Sequence, residues 1–93
     1  MNILQTPTFE RVVKKLKANQ KTDLKHAIQQ IIDKPLLGDE KSGDLKGVRV
    51  YKFKMVKQLT LLAYSYHEAH VTLTFLSLGS HENFYRDLKN IKT

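Results

Sequence analysis

The sequence has no cysteine and no tryptophan, only two prolines, and no long run of apolar residues. Without cysteine there is no disulfide and no thiolate chemistry. A membrane-spanning helix needs about 20 consecutive apolar residues, and no segment of the sequence approaches that length. The first residues also lack the apolar stretch of a secretory signal. We therefore expect a single domain over residues 1–93, located in the cytoplasm and without a membrane partner.

Acidic residues are also scarce in this chain. The 9 Asp and Glu residues are outnumbered by 16 Lys and Arg residues, which gives a formal net charge of +7. A charge this high on a short chain favours an anionic partner, either nucleic acid or an acidic protein that covers the same surface. A solvated surface without such a partner is the alternative that composition leaves open.

The first third of the chain is typical of two amphipathic helices. Thr6 and Pro7 have the pattern of a helix N-cap followed by proline at the first helical position. Apolar residues at helical spacing follow, first Phe9, Val12, Val13 and Leu16, and then Leu24, Ala27, Ile28, Ile31 and Ile32. Pro35 ends the second pattern, because proline cannot continue a helix. The sequence therefore predicts a helical hairpin.

The remainder of the chain has the shorter periodicity of strands. The predicted elements are a short first strand over 3–5, a surface loop over 36–47, strands over 48–55, 59–66 and 71–78, and a short helix over 81–92. The nearly all-apolar strand 59–66 is expected at the centre of the sheet. This order predicts an α+β fold with a small, mostly antiparallel four-stranded sheet. We expect the N-terminal helical hairpin to pack on one face of that sheet and a short C-terminal helix to complete it.

Aromatic residues and lysines alternate over Tyr51, Lys52, Phe53 and Lys54. On a strand this alternation places the two lysines on one face and the two aromatic rings on the other. A rigid pair of cations suits a phosphodiester, which gains negative charge when it is attacked. The alternative is an edge strand that its lysines protect against aggregation.

Further basic residues flank this strand and are candidates for binding the substrate: Lys46, Arg49 and Lys57. Arg49 has the same parity as the aromatic residues. It should therefore point away from the two lysines, although its place at the start of the strand could let its guanidinium reach the rim.

His81 follows Gly79 and Ser80, where the last strand is predicted to end. Loops after strands often carry functional side chains, and an imidazole there could accept or donate a proton near neutral pH. Tyr85 lies one helical turn further on and could share a face with it. The other histidines are expected on the surface. No metal-ligand set, phosphate-binding glycine loop or nucleophile elbow is found in the sequence.

These segments together resemble the RelE/ParE toxin superfamily of bacterial toxin–antitoxin modules. The resemblance covers nearly the whole length, and it includes the segment Asp44–Gly47 after the glycine-containing loop. The basic strand 51–54 is similar to that of the RelE branch, whose two lysines contribute to mRNA cleavage. The segment Leu78–His81 resembles the end of the last strand in the YafQ and YoeB branches, which use a histidine near the C-terminus. Tyr85 lies close to a late aromatic residue of the family.

The resemblance implies an endoribonuclease that cleaves mRNA, usually on the ribosome, and that an antitoxin inhibits in a hetero-oligomer. The substrate's own 2′-OH would attack the adjacent phosphate without a metal or other cofactor. The implied catalytic residues are Lys52, Lys54, His81 and Tyr85, with Lys46, Arg49, Lys57 and Arg86 binding the substrate. One departure is that residues 59–62 contain no cation where RelE-type toxins commonly carry an arginine, so Arg49 or Arg86 would have to supply that charge.

Two alternatives remain open at this point. The first is a toxin of the ParE branch, which shares the fold and poisons DNA gyrase without nuclease activity. The second is an inactive homologue that only binds an antitoxin.

Overall fold

The structure is a computed structural model, which describes residues 1–80 and Phe84. Its regular elements are β1 (Asn2–Gln5), α1 (Pro7–Lys14), α2 (Ala18–Asp33), β2 (Asp39–Glu40), β3 (Arg49–Met55), β4 (Gln58–His67) and β5 (Thr72–Gly79). Short 3-10 turns at Gly43–Leu45 and Glu68–His70 precede β3 and β5. The α+β fold is confirmed, and the helix predicted over 81–92 lies outside the described residues apart from Phe84. No helix in the described part of the chain is long and apolar enough to cross a membrane.

The strands form one sheet in the order β1-β5-β4-β3-β2, with β4 at its centre as predicted. β1 runs parallel to β5, and the other neighbouring strands are antiparallel. The described sheet has five strands rather than the expected four, because Asp39 and Glu40 pair with Val50 and Arg49 inside the segment that was predicted to be a loop. Two residues are too few to show a strand periodicity, so the sequence gives no sign of this pairing.

The Thr6 side chain connects the start of α1 to the sheet by hydrogen bonds. Its hydroxyl oxygen accepts a hydrogen bond from the backbone N–H of Phe9 at 3.1 Å and donates one to the carbonyl of Leu76 at 2.7 Å. The first bond satisfies one of the unpaired N–H groups of the first helical turn, and Pro7 has no N–H to satisfy. This cap sets the direction of α1, and the helical hairpin covers one face of the sheet.

The middle of β4, residues 60–64, is buried on both faces, which agrees with its nearly continuous apolar sequence. Leu62 and Tyr64 pack on the helix side with residues of α1, α2 and β5. Leu61 and Ala63 pack on the opposite side in a second cluster, whose other buried members are Leu45, Val48, Val50 and Phe84. A register shift between Ala63 and Tyr64 leaves Leu76 without a direct partner, and Leu76 packs against the second cluster.

The Tyr64 hydroxyl joins the end of α2 to the centre of the sheet. It donates a hydrogen bond to the carbonyl of Pro35 at 2.8 Å and accepts one from the backbone N–H of Gly38 at 2.8 Å. Gly38 lies so close to this ring that an added Cβ would be 2.9 Å from both Cε1 and the hydroxyl oxygen of Tyr64. A side chain there would have to displace the buried ring, so the close approach requires glycine.

We expect Tyr64→Phe to lower the free energy of unfolding by about 1–3 kcal/mol, because it leaves the two backbone partners in the interior without their hydrogen bonds. Urea denaturation at neutral pH measures this change. Tyr66→Phe is the matched control, since no hydrogen bond of the Tyr66 hydroxyl is found among the described residues. Equal losses in the two variants would contradict the proposed anchoring role.

The same substitution should also change the pH dependence of stability. Burial raises the pKa of Tyr64 above its ordinary value of 10.0, against smaller opposing effects from the Gly38 hydrogen bond and Arg49. As the pH rises above the ordinary pKa, the Tyr64 hydroxyl therefore loses its proton in the unfolded chain before it does so in the folded chain. The contribution to stability is complete below pH 10 and declines as the pH rises through the folded pKa. Denaturation series between pH 9 and 11 should show a shallower alkaline decline for Tyr64→Phe than for the unmodified chain.

Candidate functional site

The predicted alternation along β3 is present in the structure. Tyr51 and Phe53 are half-buried and pack against the helix-side core, with ring centroids 6.0 Å apart and planes inclined by 12°. Lys52 and Lys54 are exposed. Because successive side chains of a strand point to opposite faces, the two lysines project from the face that the helices leave uncovered. Their Cα atoms are separated by about 6.8 Å, the rise of two residues along an antiparallel strand.

The register of the sheet places the end of β5 beside this lysine pair. Lys52 pairs with Leu61 on β4, and Leu61 pairs with Gly79 on β5. Lys54 pairs with Leu59, which is 44% exposed. Two strand spacings separate Lys52 from Gly79, which is about 10 Å across the sheet. The chain therefore leaves β5 at the same end of the sheet as the two lysines.

Phe84 lies on the same face of the sheet as the lysine pair. It is 3% exposed and packs in the cluster that contains Leu61 and Val50, and Val50 shares the strand and parity of the lysines. His81, Tyr85 and Arg86 lie outside the described residues. Their roles in catalysis and in substrate binding stay predictions.

Arg49 points away from the lysine pair, as its parity predicts. Its guanidinium donates hydrogen bonds to the carbonyls of Leu36 at 3.1 Å and Gly38 at 2.8 Å, and it lies 3.7 Å from the carboxylate of Glu40. These contacts hold the segment after α2 against the start of β3, on the helix side of the sheet. The expected contribution of Arg49 to substrate binding stays a prediction without a supporting contact.

The other two flanking lysines are exposed. Lys46 follows the 3-10 turn at Gly43–Leu45, and Lys57 lies in the turn between β3 and β4. Their predicted part in substrate binding remains a prediction. Lys57 is nearer to the pair, because the turn that contains it follows Lys54 by only two residues.

The turn between β3 and β4 has an unusual backbone. Val56 and Lys57 both have positive φ, at 49° and 69°, which is the conformation of a two-residue type I′ hairpin. A β-branched residue adopts this conformation at a cost, so surrounding contacts must hold it. The Asp23 carboxylate of α2 supplies one of them, since its Oδ2 accepts a hydrogen bond from the Val56 N–H at 2.7 Å.

Two cavities open along the boundary between α2 and β3. The larger measures about 730 Å³ and is lined by Asn19, Thr22, Asp23, Lys54, Val56 and Lys57. A smaller cleft of about 200 Å³ is lined by Asp23, His26, Ala27, Gln30, Tyr51, Phe53 and Lys54. Asp23 and Lys54 border both cavities. No sequence pattern singles out Asp23, because the turn that it holds lies 33 residues away.

His67 and His70 lie away from the lysine pair, whereas His26 is on α2 and lines the smaller cleft with Lys54. His67 and His70 stack at the turn between β4 and β5, with ring centroids 4.7 Å apart. That turn is at the opposite end of the sheet from the β3–β4 turn. Within residues 1–80 and Phe84, no three His, Cys, Asp or Glu side chains are grouped closely enough to hold a metal ion.

Comparison with known proteins identifies the class to which this chain belongs. Residues 3–89 match the family model of the ParE-like toxin of type II bacterial toxin–antitoxin systems. The chain therefore belongs to this family and is a RelE/ParE-like toxin of a toxin–antitoxin module. The superfamily resemblance noted in the sequence is confirmed. No match was found among curated protein sequences.

Several solved structures share the fold at low sequence identity. The E. coli RelBE toxin–antitoxin complex contains a chain with a TM-score of 0.70 and 18% identity, covering 87% of this chain and 96% of that one. A YoeB/ParE toxin from Agrobacterium tumefaciens has a TM-score of 0.70 and 14% identity, with 87% and 99% covered. The archaeal RelE–RelB complex from Pyrococcus horikoshii OT3 gives 0.61 and 12%, with 87% and 94% covered. At these identities the likeness concerns the fold alone.

Proposed function

We propose that this toxin is an endoribonuclease that cleaves mRNA, on the ribosome, by attack of the substrate's 2′-OH on the adjacent phosphodiester. The observation that carries the proposal is the exposed pair Lys52 and Lys54 on the uncovered face of β3. The family membership makes the chain a toxin. The lysine pair would supply the positive charge that cleavage of a phosphodiester requires.

The attack places additional negative charge on the phosphate, and cations fixed in advance stabilise that charge. Lys52 and Lys54 are held by a strand whose opposite face is anchored in the core, so their spacing changes little when substrate binds. Lysine has no planar fork and acts as a point charge, which suits a phosphate that changes geometry during the reaction. The two side chains therefore serve as the electrostatic part of the site.

The reaction also needs a base for the 2′-OH and an acid for the departing 5′-oxygen. His81 is our candidate for one of these roles, because it follows Gly79 by two residues and Gly79 lies in register with Leu61 and Lys52. Tyr85 would position the base or the phosphate, and Arg86 would add charge. Either lysine is an alternative candidate for the base.

A cognate antitoxin is the second partner that we propose. The similar E. coli and Pyrococcus toxins were solved in complexes with RelB, and the positive surface of this chain suits an acidic segment of such a protein. The antitoxin would form a hetero-oligomer with the toxin in the cytoplasm and cover the lysine face until it is removed.

Two specific observations favour a second candidate, a ParE-type poison of DNA gyrase. The matching family model is described as ParE-like. In addition, residues 59–62 of β4 contain no cation, and Leu61 and Leu62 are fully buried. An inactive homologue that only binds an antitoxin is the third possibility.

Induction of the toxin alone in a bacterial host should distinguish these candidates. We expect incorporation of labelled amino acids to fall before incorporation of thymidine, because translation is the proposed target. Mapping of transcript ends should reveal new ends inside coding regions. Intact transcripts together with accumulated gyrase–DNA cleavage complexes would establish the gyrase poison instead, and normal growth would indicate the inactive homologue.

Lys52→Ala and Lys54→Ala should reduce mRNA cleavage while leaving the fold intact. Both side chains are exposed, so each substitution should change the free energy of unfolding by less than about 0.5 kcal/mol. Loss of one transition-state contact should slow cleavage by about 10²–10³-fold, by analogy with the removal of an oxyanion donor. Lys25→Ala is the matched control, because Lys25 is an exposed lysine on α2. Full activity of both β3 variants would show that the lysines only protect the strand.

His81→Gln should abolish most cleavage and retain antitoxin binding. Glutamine keeps much of the polarity and size of histidine but cannot exchange a proton near pH 7. General acid–base catalysis contributes about 10²–10⁴-fold, so the loss in single-turnover cleavage of ribosome-bound mRNA should be large. His67→Gln and His70→Gln are the controls, because the structure places both residues at the far end of the sheet. Unchanged activity of His81→Gln would remove His81 from the proposed site.

A further inference from the structure

The outer edge of β3 is covered along only part of its length. β2 pairs with Arg49 and Val50, and in the described part of the sheet no strand pairs with the outer edge of β3 from Tyr51 onward. The boundary between α2 and this edge therefore stays open. The cleft of about 200 Å³ lies at this boundary, with the half-buried rings of Tyr51 and Phe53 in its wall.

The size and lining of this cleft suit a single nucleobase. Pockets for drug-sized ligands measure about 300–1,000 Å³, so the cleft accepts only a smaller group. The two aromatic rings provide flat apolar surface of the kind on which unpaired bases stack. The exposed side chains of His26 and Gln30 add groups that form hydrogen bonds with the edge of a base.

The distribution of charge in the cleft favours a base over a phosphate. Asp23 lines the cleft, and its carboxylate would repel an anion but would accept hydrogen bonds from an exocyclic amino group. Lys54 borders the same cleft from the strand that also carries Lys52. Lys52 projects from the opposite face of the strand, so the cleft adjoins the lysine pair only through Lys54, at the outer edge of β3. A phosphate held by Lys54 at this edge would lie beside a base in the cleft, and one single-stranded segment could occupy both.

We propose that this cleft is a base-binding subsite for single-stranded RNA next to a phosphate held by Lys54 at the edge of the sheet, and that it prefers bases with an exocyclic amino group. Adenine, cytosine and guanine carry such a group, whereas uracil offers only an N3–H donor flanked by two carbonyl oxygens that would repel the Asp23 carboxylate. This inference rests on the proposed ribonuclease function, for which it supplies a determinant of sequence preference.

Binding of short fluorescent 2′-O-methyl oligonucleotides tests the subsite, because these strands have no 2′-OH to attack and are not cleaved. Fluorescence anisotropy should show that oligo-A and oligo-C bind the purified toxin at least about fivefold more tightly than oligo-U. Phe53→Leu should weaken the binding of oligo-A by about fivefold or more, the lower end of what a base–aromatic stack contributes. Gln30→Ala, which truncates an exposed side chain, should reduce the preference over oligo-U.

Gln29→Ala is the matched control for Gln30→Ala. Gln29 is exposed on the same helix but bonds to Asp33 at 3.0 Å and does not line the cleft. The control should keep both the affinity and the preference of the unmodified toxin. Thermal melts of Phe53→Leu should be compared with those of Tyr66→Leu, a partly buried aromatic of the same core, so that lost stability is separated from lost binding.

Cleavage of ribosome-bound mRNA by the same variants separates failure of the subsite from failure of the proposed function. Cleavage that keeps its base preference in Phe53→Leu and Gln30→Ala overturns the subsite and leaves the ribonuclease in place. A toxin that binds oligo-A through the cleft but cleaves no mRNA overturns the ribonuclease and leaves the subsite as an RNA-binding site. Variants that lose antitoxin binding while RNA binding is unchanged overturn the subsite and identify the cleft as a protein-docking surface.

Discussion

The burial of β4 on both faces is the constraint on which the rest of this small domain depends. A 93-residue chain can bury only about 60–65% of the surface it exposes when unfolded, so few residues are available to cover a sheet. The helical hairpin covers one face, and the segment before β3 together with Phe84 covers part of the other. This cover is centred on Leu61 and Ala63, and it does not extend to the end of β3 where the lysines lie. Among the described residues, the area around the two lysines is therefore left without cover.

The two exposed lysines protect the partly covered end of this sheet against aggregation. If residues 52 and 54 were apolar, the exposed apolar surface around Leu59 would extend along the part of the β3 edge that β2 does not pair with. Such a surface would favour edge-to-edge aggregation. Two exposed ammonium groups repel each other only moderately in water, and an anion between them would convert that repulsion into attraction. The proposed binding of a phosphate would use the same two side chains that protect the edge, which is why the alternation alone could not decide between the two roles.

The elements with a local signature could be predicted from the sequence. Pro7 and Pro35 mark one helical start and one helical end, and the period-two and all-apolar patterns locate β3 and β4. The contacts that fix the site depend on residues far apart in the chain. Tyr64 bonds to Gly38 across 26 residues, and Asp23 bonds to Val56 across 33, so no spacing rule connects them. The sequence did not predict strand β2 or the cleft between α2 and β3, because both form only where segments far apart in the chain come together.

The position of Arg49 limits which residues could take part in the proposed ribonuclease reaction. RelE-type toxins resemble this chain but commonly have an arginine in the strand that here reads Leu59 to Leu62. Arg49 is held by two carbonyls and Glu40 on the helix side of the sheet, so it does not replace that arginine on the lysine face. The described part of the face supplies cations but no histidine, since the described histidines are on α2 and at the β4–β5 turn. For the proposed ribonuclease, His81 and Tyr85 therefore stay the candidates for proton transfer on the lysine side of the sheet, beside the lysines themselves.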